Sequence, residues 1–248
     1  MDLYPFRQDE ASMCMGLDEA ILNARIRGNI DDTLRFFQFK PSAVSIGLFQ
    51  NLATQVDLAK CEEKNIDIVR RMTGGGSVFH DTGGEITYSV VLGIDKRTND
   101  IIGSYRMICG GIVEALGELG VRSMFRPVND VLVGERKISG SAQTRKKGVL
   151  LQHGTFMYDT DIETLVEVLK VSNEKLSDKF IKSVRKRVTT VRLECDHASY
   201  GDTIDAMTKG FSNVFGELQG SSPSDGLLEE ATALARKKYD SREHLFLR

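Results

Sequence analysis

The chain has 248 residues, a length that suits one large domain or two small ones. Lysine and arginine number 33 against 35 aspartates and glutamates, so the net charge is −2, and the pI near 6.1 lacks the basic excess of most nucleic-acid-binding proteins. No apolar run of 18 residues occurs, and the acidic first ten residues lack the apolar centre of a signal peptide. We therefore expect a cytoplasmic protein that binds neither membranes nor nucleic acid.

The four cysteines are widely spaced and form no CxxC pair. A small disulfide-bonded domain would hold its cysteines more densely, and a zinc site would cluster them. The sequence therefore predicts reduced thiols at Cys14, Cys61, Cys109 and Cys195.

The first half of the chain mixes helices with strands. The spacing of apolar residues predicts a helix over 11–27, which Gly28 can end. Strands are predicted over 34–39 and 43–48, and the Pro41-Ser42 turn between them favours a hairpin. A short helix and three strands follow, over 56–64, 66–71, 77–80 and 85–92.

The second half begins with strands and ends with helices. The predicted elements are a helix over 103–119, strands over 130–133, 137–143 and 149–158, and helices over 161–169, 203–217 and 226–239. This order predicts an α+β fold with a mixed, mostly antiparallel sheet flanked by helices. The linker-like stretch 220–226 lies too near the C-terminus to divide the chain, so we expect a single domain over 1–248.

A glycine-rich loop is the first segment with chemical character. It reads Arg70-Arg71-Met72-Thr73-Gly74-Gly75-Gly76-Ser77-Val78-Phe79-His80-Asp81. Three glycines let the backbone turn sharply and bring successive N–H groups against an anionic ligand. The two arginines suit phosphate or carboxylate, and only one of them can face the ligand because side chains alternate across a strand. A flexible turn is the simpler alternative.

Two further segments carry candidate ligand-binding residues. Lys137 is followed by small residues up to Ala142 that leave room for a ligand, and a partly buried ammonium requires an anionic partner. The alternative for Lys137 is a solvent-exposed hairpin lysine. His153 precedes Gly154-Thr155 and is either a general base or a structural histidine. The basic stretch Ser183–Val188 indicates either a solvated face or a surface for an acidic partner.

Together these segments resemble the lipoate–protein ligase A family, within the biotin ligase, lipoate ligase and octanoyltransferase superfamily. The resemblance covers about residues 10–192, and four stretches in the family's order carry it: Arg70–Asp81, Asn129-Asp130 with Arg136–Ala142, His153–Thr155 and Ser183–Val188. It implies a biotin/lipoate ligase-like catalytic domain in which the ligand lies across the sheet.

The resemblance implies an enzyme that uses ATP and Mg²⁺ to convert lipoate into lipoyl-adenylate. It would then transfer the lipoyl group to a lysine of a lipoyl carrier domain, on a 2-oxo-acid dehydrogenase acyltransferase subunit or the glycine-cleavage H protein. Lys137 matches the family's essential lysine and would be the catalytic residue. Ligases of this family often carry a further C-terminal domain, for which the chain has no room before Arg248. We therefore expect an archaeal-type catalytic large subunit with a separate accessory subunit.

The ligand-binding residues implied by the resemblance form two overlapping sets. ATP and the adenylate would be held by Arg71, Gly74, Gly75, Gly76, Ser77, Val78, Phe79 and Lys137. Lipoate would be held by Arg71, Gly75, His80, Lys137, Gly140, His153, Gly154 and Thr155. Asp130 and Asp81 are the acids that would hold Mg²⁺. Strand residues around Val44–Gly47 and Val149–Leu151 are expected to form the apolar trench for the lipoyl tail.

Three alternatives stay open. An octanoyl- or lipoyl-transferase would take its acyl group from an acyl carrier donor without ATP; the stretch 147–154 resembles such enzymes, but residues 126–130 and 138–194 hold no cysteine nucleophile. Biotin ligation is disfavoured because Thr73–Gly76 replaces the arginine- and glycine-rich loop of biotin ligases. A non-catalytic lipoyl-binding protein is disfavoured because Lys137 and the glycine loop are both present.

Overall fold

Two β-sheets form the frame of the fold, in a computed structural model that describes residues 1–170 and 178–248. The described strands are β1 (Asp2–Asp9), β2 (Thr33–Phe39), β3 (Ala43–Ile46), β4 (Asp67–Arg70), β5 (Val78–His80), β6 (Glu85–Gly93), β7 (Met124–Arg126), β8 (Asp130–Val133), β9 (Arg136–Lys146), β10 (Val149–Met157) and β11 (Gln219–Gly220).

The helices lie before, between and after these strands, as predicted. The described helices are α1 (Ala11–Ile26), α2 (Leu52–Gln55), α3 (Leu58–Glu63), α4 (Ile101–Glu118), α5 (Ile162–Val168), α6 (Asp178–Arg185), α7 (Val191–Glu194), α8 (Tyr200–Phe215), α9 (Asp225–Leu234), which continues into a π-helical turn (Ala235–Tyr239), and α10 (Arg242–Leu245). Within the described ranges, no helix combines the length and apolar content needed to cross a bilayer.

The larger sheet has eight strands in the order β11-β1-β2-β6-β10-β9-β8-β7. Strand β1 runs parallel to β2 and β11, and the other neighbours are antiparallel. This mixed, mostly antiparallel sheet confirms the predicted α+β class. Strand β1 was not predicted, because Pro5 interrupts its pattern; the ladder to β2 is irregular there, between Tyr4 and Arg7.

The smaller sheet has the order β4-β3-β5, with β3 parallel to β4 and antiparallel to β5. The predicted hairpin of residues 34–39 and 43–48 is therefore wrong, since β2 and β3 belong to different sheets. Both strands are buried along their whole length. Each is the inner strand of its sheet, β2 between β1 and β6 and β3 between β4 and β5, which leaves no edge for a hairpin partner.

Alternate residues of the central strands enter different cores. Val90 and Leu150 pack with α4 and α8, whereas Val91 and Leu151 pack with α1 and α9 on the opposite face. The polar residues His153 and Thr155 continue the second face along β10 beyond Leu151. The sheet therefore buries both faces and turns a row of polar side chains toward the smaller sheet.

Helices α4 and α8 approach each other closely through glycine residues. A Cβ atom added at Gly210 would overlap the backbone of Gly111 and Ala115. A Cβ atom added at Gly111 would lie 2.8 Å from the ring of Phe211. The crossing therefore depends on the missing side chains, which let the two backbones come into contact.

Replacing Gly210 by Ala is expected to lower the free energy of unfolding by about 1–3 kcal/mol, because the new Cβ atom forces α4 and α8 apart. Gly117→Ala in α4 is the matched control, since a Cβ atom there meets nothing within 4 Å. Its expected effect is neutral or stabilising by up to about 1 kcal/mol. Urea denaturation measures both, and equal effects would contradict the close crossing.

Candidate active site

One cavity brings together most of the residues that were predicted to bind ligand. It has a volume of about 370 Å³ and is lined by residues from both sheets. The predicted residues in its lining are Arg71, Gly75, Gly76, Ser77, Val78, Phe79, His80, Lys137, Gly140, His153, Gly154 and Thr155. Gly74, Asp81 and Asp130 are not part of the lining. Lys137 and Gly75, which are far apart in the sequence, therefore face the same ligand-sized space.

The glycine loop presents backbone N–H groups that are available to a ligand. Among the described residues, the N–H groups of Gly74, Gly75, Gly76 and Ser77 donate no backbone hydrogen bond. Gly75 has a φ of +97°, and a Cβ atom there would lie 3.0 Å from the Arg71 guanidinium, so the position requires glycine. Successive unpaired N–H groups form an anion-binding concavity. This geometry agrees with the predicted anion cradle rather than with a flexible turn.

Arg71 lies beneath this loop and is only 4% exposed. Its hydrogen bonds go to the hydroxyl of Thr73, the carbonyl and hydroxyl oxygens of Ser45, and the carbonyl oxygens of Gly74 and Gly76. Burial lowers the pKa of Arg71 to about 10, so the guanidinium stays charged at neutral pH. The N–H groups of Arg71 therefore hold the loop in place, and its positive charge lies at the wall of the cavity.

Arg70 points to the opposite side of strand β4 and does not line the cavity. Its guanidinium donates to the carbonyl oxygens of Gly47, Leu48 and Gln50 and to those of His244 and Leu245. The structure thus confirms that only one of the two arginines faces the cavity. Arg70 instead fixes the C-terminal helix α10 against the small sheet.

Lys137 is held at the edge of the cavity by contacts on both sides of its strand. Its Nζ atom lies 2.7 Å from a carboxylate oxygen of Asp130, and the two side chains are 39% and 31% exposed. The backbone N–H of Lys137 donates to the Arg187 carbonyl at 2.8 Å, and its carbonyl accepts from the Thr189 N–H at 2.9 Å. A Cβ atom added at Gly140 would overlap Nζ. The lysine therefore has a fixed backbone and a small-residue slot for its side chain.

His153 is bound through both ring nitrogens. Nδ1 lies 2.8 Å from Asp18, and Nε2 lies 2.7 Å from the Thr73 hydroxyl. Burial lowers the pKa of His153, although Asp18 acts in the opposite direction. Asp18 also pairs with Arg35 at 2.7 Å in a fully buried ion pair. A neutral histidine with two protein partners fits the structural interpretation of His153 better than the general-base interpretation.

His80 forms a similar contact set on the other side of Arg71. Its Nδ1 lies 2.8 Å from Glu85, and its Nε2 lies 2.8 Å from the Ser45 hydroxyl. The Thr87 hydroxyl donates to the same Glu85 carboxylate at 2.6 Å. Glu85 and Thr87 were not predicted as site residues, and Ser45 was predicted only as part of the trench stretch Val44–Gly47. One pattern could have found two of them, because every second residue at the start of the buried strand β6 is polar.

Most of the residues that were predicted to form the apolar trench do not line the cavity. Val44 and Ile46 point into the core of the smaller sheet, and Val149 and Leu151 pack beneath α1. The apolar lining of the cavity comes instead from α1, β2, β10, α5 and the end of α6, through Met15, Phe39, Met157, Leu165, Leu169, Val184 and Val188. These side chains converge only when the two sheets pack together, so local hydrophobicity could not single them out.

The structure does not bring the two predicted magnesium ligands together. Asp81 accepts a hydrogen bond of 2.8 Å from the Asp161 N–H before helix α5, whereas Asp130 pairs with Lys137. Burial raises the pKa of Asp81. Among the described residues, no group of three His, Cys, Asp or Glu side chains is arranged to hold a metal ion. Asp81 therefore contacts the turn before α5 and lies outside the cavity lining.

The four cysteines are free and buried, as predicted, and none of them lines the cavity. Burial raises the pKa of the Cys61 thiol to about 11 and also raises the pKa of Cys14 and Cys109. A buried protonated thiol is a poor nucleophile. The positively charged side chains in the lining are Arg71, Lys137 and Arg187, and none of the reactive groups there is a thiol.

Comparison with known proteins identifies the family. The family model of the lipoyl protein ligase A/B catalytic domain matches residues 10–212. The chain belongs to this family. The octanoyltransferase LipM of Staphylococcus aureus is 35% identical, over 94% of this chain and 93% of that protein. Membership confirms the resemblance that the four sequence stretches indicate.

Solved structures of lipoate ligases share the fold over its whole length. A bipartite lipoate protein ligase of Thermoplasma acidophilum, described together with its E2 lipoyl domain, matches with a TM-score of 0.87 and 32% identity, over 100% of this chain and 98% of that chain. A lipoate–protein ligase A bound with ATP matches with a TM-score of 0.85 and 30% identity, over 100% and 99%. These matches confirm the predicted lipoate ligase-like fold.

The family contains both activities that the sequence left open. The ATP-dependent ligase was the main expectation, partly because residues 126–130 hold no cysteine. The similarity to an octanoyltransferase over nearly the whole chain supports the transferase alternative better. The chain is an enzyme of the lipoate ligase and transferase family.

Replacing Asp18 by Asn is expected to lower the free energy of unfolding by about 3–5 kcal/mol at pH 7, because the buried Arg35 loses its charged partner. Burial raises the pKa of Asp18, but Arg35 and His153 outweigh burial and lower it to about 2. The wild-type advantage is therefore complete above the unfolded pKa of about 4 and is lost as the pH falls toward 2.

Urea unfolding of the wild type and Asp18→Asn between pH 7 and pH 2.5 measures this difference. Asp95→Asn is the control, since Asp95 forms an exposed ion pair with Arg97 and its replacement is expected to change the free energy of unfolding much less than that of Asp18. A difference for Asp18 that stays constant over this pH range would contradict the assigned pKa.

Proposed function

We propose that the protein transfers an octanoyl or lipoyl group from an activated donor to the lysine amine of a lipoyl carrier domain. The observation that carries the proposal is the shared cavity of Lys137 and the glycine loop, with an apolar region beside both. An acyl tail is apolar and its activated carboxyl end is polar, so a ligand of this class uses both parts of the cavity.

In this proposal Lys137 is the catalytic residue. Its ammonium would contact the acyl carbonyl oxygen and stabilise the negative charge that develops there as the acceptor amine attacks. The free N–H groups of Gly75 and Ser77 would bind the same developing charge or an adjacent phosphate. Asp130, 2.7 Å from the Lys137 ammonium, would orient it before the ligand arrives.

A lipoyl carrier domain is the proposed partner. The similar ligase of Thermoplasma acidophilum was described together with its E2 lipoyl domain. The acceptor amine of a carrier domain lies at the end of a long, flexible lysine side chain. In this proposal that side chain enters the cavity beside Lys137. The acyltransferase subunit of a 2-oxo-acid dehydrogenase and the glycine-cleavage H protein both supply such a domain, and both belong to this proposal.

The first candidate donor is the octanoyl thioester of an acyl carrier protein, and the 35% identity to an octanoyltransferase favours it. The acceptor amine would attack the thioester carbonyl, so that a C–N bond forms, the C–S bond breaks, and the thiolate leaves with the proton of the amine. No cysteine lines the cavity, so the direct attack needs no acyl-enzyme intermediate.

The second candidate donor is an acyl-adenylate made from ATP, and a specific observation favours it too. The glycine loop and the buried charge of Arg71 suit a phosphate group, and the structure of an ATP-bound ligase matches this chain. The carboxylate would attack the α-phosphorus and release pyrophosphate. Asp130 and the phosphate oxygens would hold Mg²⁺ in this reaction. A separate accessory subunit belongs to this second proposal.

The donor is tested with purified protein and an apo-lipoyl domain, by following the mass increase of the domain. Octanoyl-acyl carrier protein without ATP is expected to support modification in one series. Octanoate or lipoate with ATP and Mg²⁺ is tested in the other, with release of pyrophosphate as the second readout. Modification in the first series alone establishes the transferase, and modification with pyrophosphate release establishes the ligase. Modification in neither series contradicts the proposed function.

Replacing Lys137 by Ala is expected to reduce acyl transfer by about 100-fold or more, because the developing charge loses its ammonium. Lys146→Ala is the matched control, since Lys146 is an exposed lysine on the same strand β9. Initial rates of transfer and circular dichroism spectra are compared for both variants. A Lys137→Ala variant that folds and transfers at the wild-type rate would remove Lys137 from the mechanism.

Replacing Gly75 by Val is expected to weaken octanoate binding by at least about tenfold, because the new side chain meets the Arg71 guanidinium and strains a φ of +97°. Gly83→Val controls for strain alone, since Gly83 has a φ of +85° and no atoms within 4 Å of an added Cβ. Isothermal calorimetry measures binding. Equal affinities for the two variants would remove the loop from the ligand site.

A further inference from the structure

Two chains of hydrogen bonds meet at Arg71 from opposite sides. The first runs from Arg71 Nε to the Thr73 hydroxyl, then to His153 and Asp18. The second runs from Arg71 Nη1 to the Ser45 hydroxyl, then to His80 and Glu85. Each chain therefore consists of a hydroxyl, an imidazole and a carboxylate, in the same order outward from the guanidinium.

In the first chain the proton positions follow from a neutral His153, whose pKa is lowered by burial, beside the carboxylate of Asp18. Nδ1 of His153 donates to Asp18 at 2.8 Å, which leaves Nε2 to accept from the Thr73 hydroxyl at 2.7 Å. Arg71 cannot accept a hydrogen bond, so the Thr73 oxygen accepts from Arg71 Nε at 3.0 Å. The carboxylate thus fixes the histidine tautomer that lets Thr73 face Arg71 with a lone pair.

The second chain follows the same logic. The Ser45 hydroxyl accepts from Arg71 Nη1 at 3.2 Å and is hydrogen-bonded to Nε2 of His80 at 2.8 Å, while Nδ1 of His80 donates to Glu85 at 2.8 Å. All the side chains of this second hydrogen-bond chain are buried. Because water has little access to these groups, each hydrogen bond depends on the next one.

The charges around Arg71 are arranged differently in the two chains. Asp18 is neutralised by direct contact with Arg35, whereas Glu85 reaches Arg71 only through an imidazole and a hydroxyl. Arg71 makes its described hydrogen bonds to uncharged oxygens. The guanidinium therefore keeps most of its positive potential for whatever occupies the cavity.

Arg71 also sets the direction of the loop amides. Its Nη2 atom binds the carbonyl oxygens of Gly74 at 2.8 Å and Gly76 at 2.7 Å. In a trans peptide the N–H of the next residue points away from the carbonyl oxygen. The N–H groups of Gly75 and Ser77 consequently point away from Arg71, and both residues line the cavity.

We propose that the two hydroxyl–imidazole–carboxylate chains are a positioning device that aims Arg71 and the loop amides at an anionic carboxyl or phosphoryl group. Ser45, Thr73, His80, His153, Asp18 and Glu85 are its positioning residues. The device rests on the adenylate form of the proposed function, since a carboxylate and an attached phosphate are anionic, whereas the carbonyl of a thioester is neutral. It separates the recognition of charge from the recognition of the apolar tail.

The test compares the affinities for octanoate and for octanamide, which share a tail and differ in charge. Isothermal calorimetry is applied to the wild type, Thr73→Val, Ser45→Ala and the conservative variant Thr73→Ser. The wild type is expected to bind octanoate at least about tenfold more tightly, as hydrogen bonds to a charged group imply. Thr73→Val and Ser45→Ala are each expected to reduce this preference to about threefold or less, and Thr73→Ser to retain it.

A purely structural role would weaken both ligands equally and leave their affinity ratio unchanged, so an unchanged ratio in Thr73→Val and Ser45→Ala overturns the positioning device alone. Octanamide that binds the wild type as tightly as octanoate also overturns it. A wild type that binds neither compound also overturns the positioning device, and the donor test described above then decides the proposed function separately. Two independent variants, one in each chain, keep the result decisive if one of them does not fold.

Discussion

The site depends on a single buried guanidinium. Arg71 binds the carbonyl oxygens of the glycine loop and two hydroxyls, and burial lowers its pKa to about 10 without removing its charge. Removing a cation from water is costly unless polar groups surround it, and here the loop and the two hydroxyls supply them. The same contacts that stabilise the charge give the loop its shape, so loop geometry and positive potential are one feature of the structure.

The two sheets explain how such a site is assembled. The larger sheet buries α4 and α8 on one face and directs polar residues of β6 and β10 to the other. The smaller sheet carries the arginine and the loop to this polar face. His153 and Glu85 lie on the larger sheet, whereas Thr73 and Ser45 belong to the smaller sheet or its loop. The polar contacts between the sheets thus fix their relative position and build the cavity together.

Lys137 completes the site from a third direction. It sits on β9, near the far edge of the larger sheet, and its backbone is tied to the segment that follows α6. Its ammonium and the loop amides are the cationic and hydrogen-bonding groups that acyl transfer needs at the carbonyl. The buried cysteines lie elsewhere, which favours attack by the acceptor amine itself over a covalent acyl-enzyme. In the proposed function a thioester donor and an adenylate donor would both react at this site, and they differ in the group that leaves the acyl carbon.

The sequence alone determined the family, the α+β class and about half of the residues that meet in the cavity. Glycine runs, paired arginines and a lysine among small residues have local physical meaning, so Gly75 and Lys137 could be recognised without coordinates. The tertiary structure decided which arginine faces the cavity, where the apolar part of the lining lies, and that Asp81 contacts the Asp161 N–H outside the cavity lining. It also paired Asp18 with His153 and Glu85 with His80, because hydrogen-bond partners are chosen by distance in space and not along the chain.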